Sequence, residues 1–433
     1  MASSVSRRSF LTGAGALVGA AAASRSFPTV AVAKQSQVTL TYLNSSSGQE
    51  ATLKALNADY EKETGVKIEL TTQALDYPQK LLAAAQAGQM PDLYYPGQTG
   101  SLDEHAPYVK AGWPLNLQSE LDKGWKEAFL PELLEYVTYK PDNPQGVEPG
   151  VYSVPFDGND WQVLFNPELW KKADVDPTAP IETWSDFLET AKKFKKATSQ
   201  PFGMNLAQPY GTGASFQTFA TSFVSVDDLT AACLGKTAWT DPVWKDVLGV
   251  FEAIRDADVL APGAVSWEMP DCEKSFFAQE TLASYFGFAI SIPVGNRLAP
   301  DFKDFSAMVP PPPVAGKPVR LAGGIGKSVA INAKGDHVDE ALRYVKWFTE
   351  KAQQIKYAQG LPTIPSNPAA LDSSQLDPRV VPFANQIKNI LPPQVAFRPP
   401  VEEALNKGIQ QLMNKETTAD KIQEAMQQAQ AGA

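Results

Sequence analysis

Val38, Leu40 and Tyr42 alternate with polar residues, the two-residue period of a half-buried strand. Leu53, Leu56 and Tyr60 then recur at helical spacing, Gly65 ends the run, and Val66, Ile68 and Leu70 alternate again. This predicts a β-α-β unit. Leu81, Leu82 and Ala85 predict the next helix, closed by Gly88, and Asp92-Leu93-Tyr94-Tyr95 predicts a short strand before the Pro96-Gly97 turn. Strands alternating with helices imply a mostly parallel sheet whose ligands sit beyond the carboxyl ends of its strands. Ser45 to Ser47 and Tyr95 to Thr99 occupy such ends.

A second α/β region has a helix near Trp184 to Lys196 and a strand at Phe202 to Met204. Asp241-Pro242 is a helix start, and Trp244, Val247, Leu248, Phe251 and Ile254 form the apolar face behind it, which places Trp244 in the core. Thr281 to Phe286, Ala307 to Val309 and Ser328 to Ile331 predict strands, and the run Pro310 to Pro313 a stiff extended connector. His337 to Gln359 is predicted to be largely helical. Val401 to Ala429 is predicted to form two helices, the second opened by a capping box from Thr417 to Asp420. Between the two regions, Asp157, Gly158, Asn159, Asp160 and Trp161 interrupt the apolar stretch from Val151 to Trp170 and predict a turn.

A chain of 433 residues exceeds the size of one core, so two or three domains are expected. Hydrophobic residues at 43% fill sizeable cores, and a net charge of −10 without a dense basic run past the N-terminus excludes nucleic acid as a partner. Near the N-terminus, Ser6-Arg7-Arg8-Ser9-Phe10-Leu11 resembles a twin-arginine export signal. Ala31-Val32-Ala33 supplies a peptidase pattern, which predicts cleavage before Lys34. Gly13, Gly15 and Gly19 dilute the apolar run too far for a retained anchor, and no lipid-attachment cysteine lies near the cleavage point. The mature chain is expected to be soluble and extracytoplasmic. Its two cysteines, Cys233 and Cys272, permit either a disulfide or two buried thiols. His105 and His337 stand in no metal-type motif, so neither a metal nor a cofactor is expected.

Two constellations invite catalytic readings. Gly323-Gly324-Ile325-Gly326-Lys327-Ser328 ends like a phosphate loop, but Leu321 stands where that pattern needs glycine, and the residues behind it are strand-like. Asp157 and Asp160 could supply the two carboxylates of a glycosidase, although Asp-Gly and Asn are also ordinary turn residues. No nucleophile elbow is present.

Several segments, in order, resemble the extracytoplasmic solute-binding proteins of ABC importers, in particular the carbohydrate-binding branch. They are Gly88 to Leu93, Val151 to Phe156, Val163 to Trp170, Thr183 to Phe187, Phe277 to Ala283 and Leu321 to Ile331. Gln279 and Glu280 depart from the family, which commonly has glycine there. The resemblance implies an α/β, two-lobe periplasmic binding protein of type II, maltose-binding-protein-like, with lobes joined by crossover hinge segments. Lobe 1 would comprise 34–160 plus 312–350 and lobe 2 161–311 plus 351–433, with further crossings at Phe305 to Pro312 and Trp347 to Tyr357. It implies a monomeric, non-enzymatic receptor that closes on a sugar and delivers it to membrane permease subunits, after export by the twin-arginine machinery. Ligand-binding residues implied are Ser45, Ser46, Ser47, Tyr95, Gln98, Asp157, Asn159, Trp161 and Gly324 from the first lobe or the joint. Phe288, Phe397 and Arg398 are implied from the second. Arg398 stands where oligosaccharide binders often carry an aromatic residue, which admits an acidic or phosphorylated ligand. A secreted carbohydrate-active hydrolase, and the same fold loaded with a polyamine, ferric ion or sugar phosphate, are the alternatives.

Overall fold

The computed structural model describes residues 38–97, 100–372 and 374–432. The expected export signal, its cleavage site and Gln98 lie outside the described residues.

Eleven strands are described: β1 (Thr39–Asn44), β2 (Lys67–Thr72), β3 (Leu93–Tyr94), β4 (Thr138–Tyr139), β5 (Gly150–Val151), β6 (Val154–Phe165), β7 (Gln200–Gly203), β8 (Leu282–Phe288), β9 (Ser306–Met308), β10 (Gly323–Ile331) and β11 (Ile364–Pro365). β4 and β5 form a separate ribbon. The main sheet runs in the order β2-β1-β3-β10-β6-β8-β7, with β9 and β11 also pairing with β6. β1 is parallel to β2 and β3, and β7 to β8, as the β-α-β pattern predicts. β10 lies antiparallel to β3 and β6, which makes the sheet mixed.

The sheet serves two apolar cores. Leu40, Leu53, Tyr60, Val154, Phe156, Val329, Tyr344 and Phe348 fill the first. Trp161, Val163, Phe187, Phe202, Trp244, Phe251, Tyr285 and Ile409 belong to the second. β6 therefore starts in one core and ends in the other, and β10 makes the return, with Ala322 in the second core, Val329 and Ile331 in the first, and Ile325 against both. Of the other expected crossings, Phe305 packs in the second core, Pro312 accepts a 3.0 Å hydrogen bond from the Trp184 amide, and Tyr357 packs in the first core.

The expected turn at Asp157 to Trp161 is not a turn. These residues form the middle of the 12-residue strand β6, paired with β10 and β11 and then, from Trp161 on, with β8 and β9. Backbone ladders on both sides override the turn preference of Asp-Gly and Asn. Gly158 serves packing, since a Cβ there would come within 2.9 Å of both Ile387 and Leu133. The glycine-rich run resembling a phosphate loop is the strand β10 itself. The helical stretch after His337 divides into Val338–Phe348 and Lys351–Gly360. The last helix, Ala419–Ala431, has Thr418 as its N-cap without a side-chain hydrogen bond, so the capping box expected from Thr417 does not form. Cys233 and Cys272 are buried free thiols. The Cys233 thiol donates to the Val395 carbonyl at 3.0 Å.

Candidate functional site: the cleft beside the crossing strands

A bulge in β10 at Gly326 sets Lys327 opposite Asp157. The Lys327 amide donates to Asp157 Oδ1 at 2.5 Å, the Tyr357 hydroxyl donates to Oδ2 at 2.8 Å, and Gln49 Nε2 donates to the Tyr357 hydroxyl at 2.5 Å. Lys327 Nζ lies 3.3 Å from the Ser45 hydroxyl and 4.1 Å from the centroid of the Tyr95 ring. Burial pushes the Asp157 carboxyl up to about 6, against the downward pull of the Tyr357 and Lys327 hydrogen bonds. Burial lowers the Lys327 amine, opposed by the charges of Asp157 and Glu104. Gly326 is required here, because a Cβ would stand 2.3 Å from Asp157 Oδ1.

Three sequence-predicted residues, Ser45, Tyr95 and Asp157, are thus brought together around Lys327, which the sequence offered as part of a failed phosphate loop and of the resembling segment Leu321 to Ile331 but not as a site residue. All three are buried. Ser46 is half-buried, its amide bonded to Asn44 Oδ1 at 3.2 Å, and Ser47 is exposed. The turn they occupy reaches the helix Ser291–Leu298 of the second core: a side chain at Gly48 would meet Arg297 Nη1 at 3.5 Å.

Trp161 forms the second focus. It pairs with Phe288 across the β6–β8 ladder with ring centroids 4.7 Å apart, stacks on Phe286 at 5.4 Å and meets Tyr210 at 6.1 Å. It lines a cavity of about 190 Å³ together with Tyr136, Tyr210, Gln217, Leu391, Pro392 and Glu402, among others. Among the described residues, Trp161 is the one member of the predicted set in that lining. Asn159 and Gly324 pair with each other across β6 and β10. Gly324 has φ 151°, and a Cβ there would lie 2.8 Å from the Tyr136 ring. Phe397 is partly buried and packs against the second core on Phe216 and Trp239, at 5.9 and 5.5 Å. Arg398 is exposed and stands at the N-cap position of the helix Pro399–Met413, without a side-chain capping hydrogen bond. Tyr210 and Glu402 were not anticipated. Each stands in the first turn of a helix opened by proline, Pro209–Ala220 and Pro399–Met413, which marks a helix start but not a cleft.

The glycosidase pairing of Asp157 and Asp160 fails on strand geometry. Residues three apart on a pleated strand point to opposite faces. Asp160 lies on the face of Gln162, whose amide donates to Asp160 Oδ1 at 3.0 Å, and it is 0% exposed. Two carboxylates so placed do not flank one bond. Among the described residues, no group of three His, Cys, Asp or Glu side chains could hold a metal, and no helix is long and apolar enough to cross a membrane.

Residues 44–355 match the family described as bacterial extracellular solute-binding protein, most of the chain. The chain belongs to that family. It is 22% identical over 334 residues to the multiple sugar-binding protein of Streptococcus mutans, covering 75% of this chain and 74% of that protein. The solved cyclic α-maltosyl-1,6-maltose binding protein of Arthrobacter globiformis superposes with a TM-score of 0.71 at 20% identity, over 91% of this chain and 98% of its own. A solute-binding protein of Thermotoga lettingae bound with α-D-tagatose gives 0.71 at 20% identity, over 91% and 99%. The fold is the maltose-binding-protein-like α/β fold that the sequence led us to expect.

Proposed function

We propose that the protein is the receptor of an ABC importer, binding a sugar or oligosaccharide outside the cytoplasm and handing it unaltered to the permease. The observation that carries this is the cavity walled by Trp161, Tyr210 and Tyr136 beside the strands that cross between the two cores. Flat aromatic faces cover the C–H side of a sugar ring, and carboxylate and amide groups at the rim meet its hydroxyls. The sugar-binding relatives support the same class of ligand. Lobe 1 would be 34–160 plus 312–350 and lobe 2 161–311 plus 351–433, hinged on β6 and β10. The approach of Gly48 to Arg297 supports closure across the cleft. A monomer exported by the twin-arginine route and cleaved before Lys34 completes the reading. With Asp157 and Asp160 on opposite faces, no bond chemistry is assigned to the site.

The test is a thermal-unfolding screen of residues 34–433 against mono-, di- and oligosaccharides. A ligand present at about 100 times its dissociation constant adds about 2.7 kcal/mol to stability. A raised midpoint for one sugar class, with the sugar recovered intact, is expected. Hydrolysis of the sugar would reinstate the enzyme.

A further inference from the structure

The cavity at Trp161 is unbalanced in both charge and hydrogen bonding. Among the described residues Glu402 is the one charged residue of its lining, and neither lysine nor arginine contributes. Burial raises the Glu402 carboxyl above its usual value. The carboxylate lies against Gly213, where a Cβ would stand 2.8 Å from Glu402 Oε1. Three side-chain donors of the lining are already committed to protein acceptors. The Tyr136 hydroxyl donates to the Leu391 carbonyl at 2.7 Å, Gln217 Nε2 to the Val395 carbonyl at 2.6 Å, and the Tyr210 hydroxyl to Gln208 Oε1 at 2.7 Å. The lining keeps open a carboxylate among aromatic faces, one of which, Tyr210, is 45% exposed.

A sugar hydroxyl both donates and accepts, whereas an ammonium group only donates and carries the charge that a half-buried carboxylate lacks. Ammonium groups are also drawn to the faces of Trp and Tyr. We propose that the solute of this receptor carries a protonated amino group, seated between the Glu402 carboxylate and the rings of Trp161 and Tyr210. The ligand class is therefore an amino sugar or amino-oligosaccharide. This rests on the carbohydrate reading above and narrows it.

The experiment is calorimetric titration near neutral pH with three matched series: glucosamine oligomers, their N-acetylated forms and the parent glucose oligomers, with spermidine and glycine betaine alongside. The amino series is expected to bind at least about tenfold tighter than the parent series, the difference of one charge-assisted contact. Raised salt should shrink that preference, and Glu402→Gln should abolish it. Equal or tighter binding of the parent or acetylated series by the wild type would overturn the inference and leave the carbohydrate reading in place. So would a preference that survives in Glu402→Gln. Binding of spermidine with no response to any sugar would instead remove the carbohydrate reading while upholding the ammonium site, whereas tight binding of betaine alone, which has no N–H to donate, would overturn the inference.

Discussion

The Tyr357 hydroxyl donates a 2.8 Å hydrogen bond to Asp157 Oδ2, fastening the helix Lys351–Gly360 to the strand that passes from one apolar core to the other. Asp157 is buried, so the bond satisfies a carboxylate that water does not reach. Tyr357→Phe leaves that oxygen without its donor and is expected to lower the free energy of unfolding by about 1–3 kcal/mol. Urea unfolding measures the loss. A change below about 0.5 kcal/mol would show that Asp157 does not depend on Tyr357.

The same carboxylate should leave a signature in the pH dependence of stability. Its pKa rises from an ordinary 3.8 to about 6 in the fold, chiefly by burial, with Lys327 and Tyr357 facing it. The folded state therefore holds a proton that the unfolded chain has released between these values, and stability falls as pH rises through this window. The loss begins near pH 4, is complete above about pH 6, and amounts to about 3 kcal/mol. Asp157→Asn removes it. The variant should gain about that much relative to wild type between about pH 4 and pH 7, and a stability difference that stays constant over this range would contradict the assignment.

Gly326 and Asp157 should be energetically coupled, since a Cβ at 326 would stand 2.3 Å from Asp157 Oδ1. Gly326→Ala should be costly in the wild type and markedly less so in an Asp157→Ala background, with a coupling energy of about 0.5–3 kcal/mol. Additive losses in the double-mutant cycle would separate the two residues.

Tyr210 and Trp161 should respond differently to truncation. Tyr210 is 45% exposed and Trp161 only 7%, the latter packed on Phe286 and Phe288. Tyr210→Ala is expected to weaken ligand binding by about 1–3 kcal/mol while leaving stability within about 1 kcal/mol. Trp161→Ala should lose affinity and also about 3–5 kcal/mol of stability. Calorimetry and denaturant unfolding on both variants make the comparison. Unchanged affinity in either would remove that ring from the site.

Much of the fold was legible because apolar periodicity is local. Leu53, Leu56 and Tyr60 mark their helix, and Trp244 to Ile254 theirs, without reference to any distant residue. Trp161 was likewise legible as a large apolar ring beside polar neighbours. The Asp157 to Trp161 strand was not, because its polar residues are accommodated by ladders from β8, β10 and β11, strands far away in the chain. Lys327 was misjudged for a similar reason. Its partners Ser45, Tyr95 and Asp157 come from three separate segments, and nothing adjacent to Lys327 announces them. Glu402 and Tyr210 meet at one cavity only through the packing of two helices, which a single sequence does not display.

An intact carbohydrate in the cleft is what makes this protein a receptor rather than a hydrolase. The most direct measurement is to purify the protein from exporting cells, denature it without added ligand, and identify the released small molecule by mass spectrometry. One chemically unaltered sugar or oligosaccharide per chain is expected. Release of an amino acid, a peptide or a metal ion in its place, or of a cleaved sugar product, would contradict it.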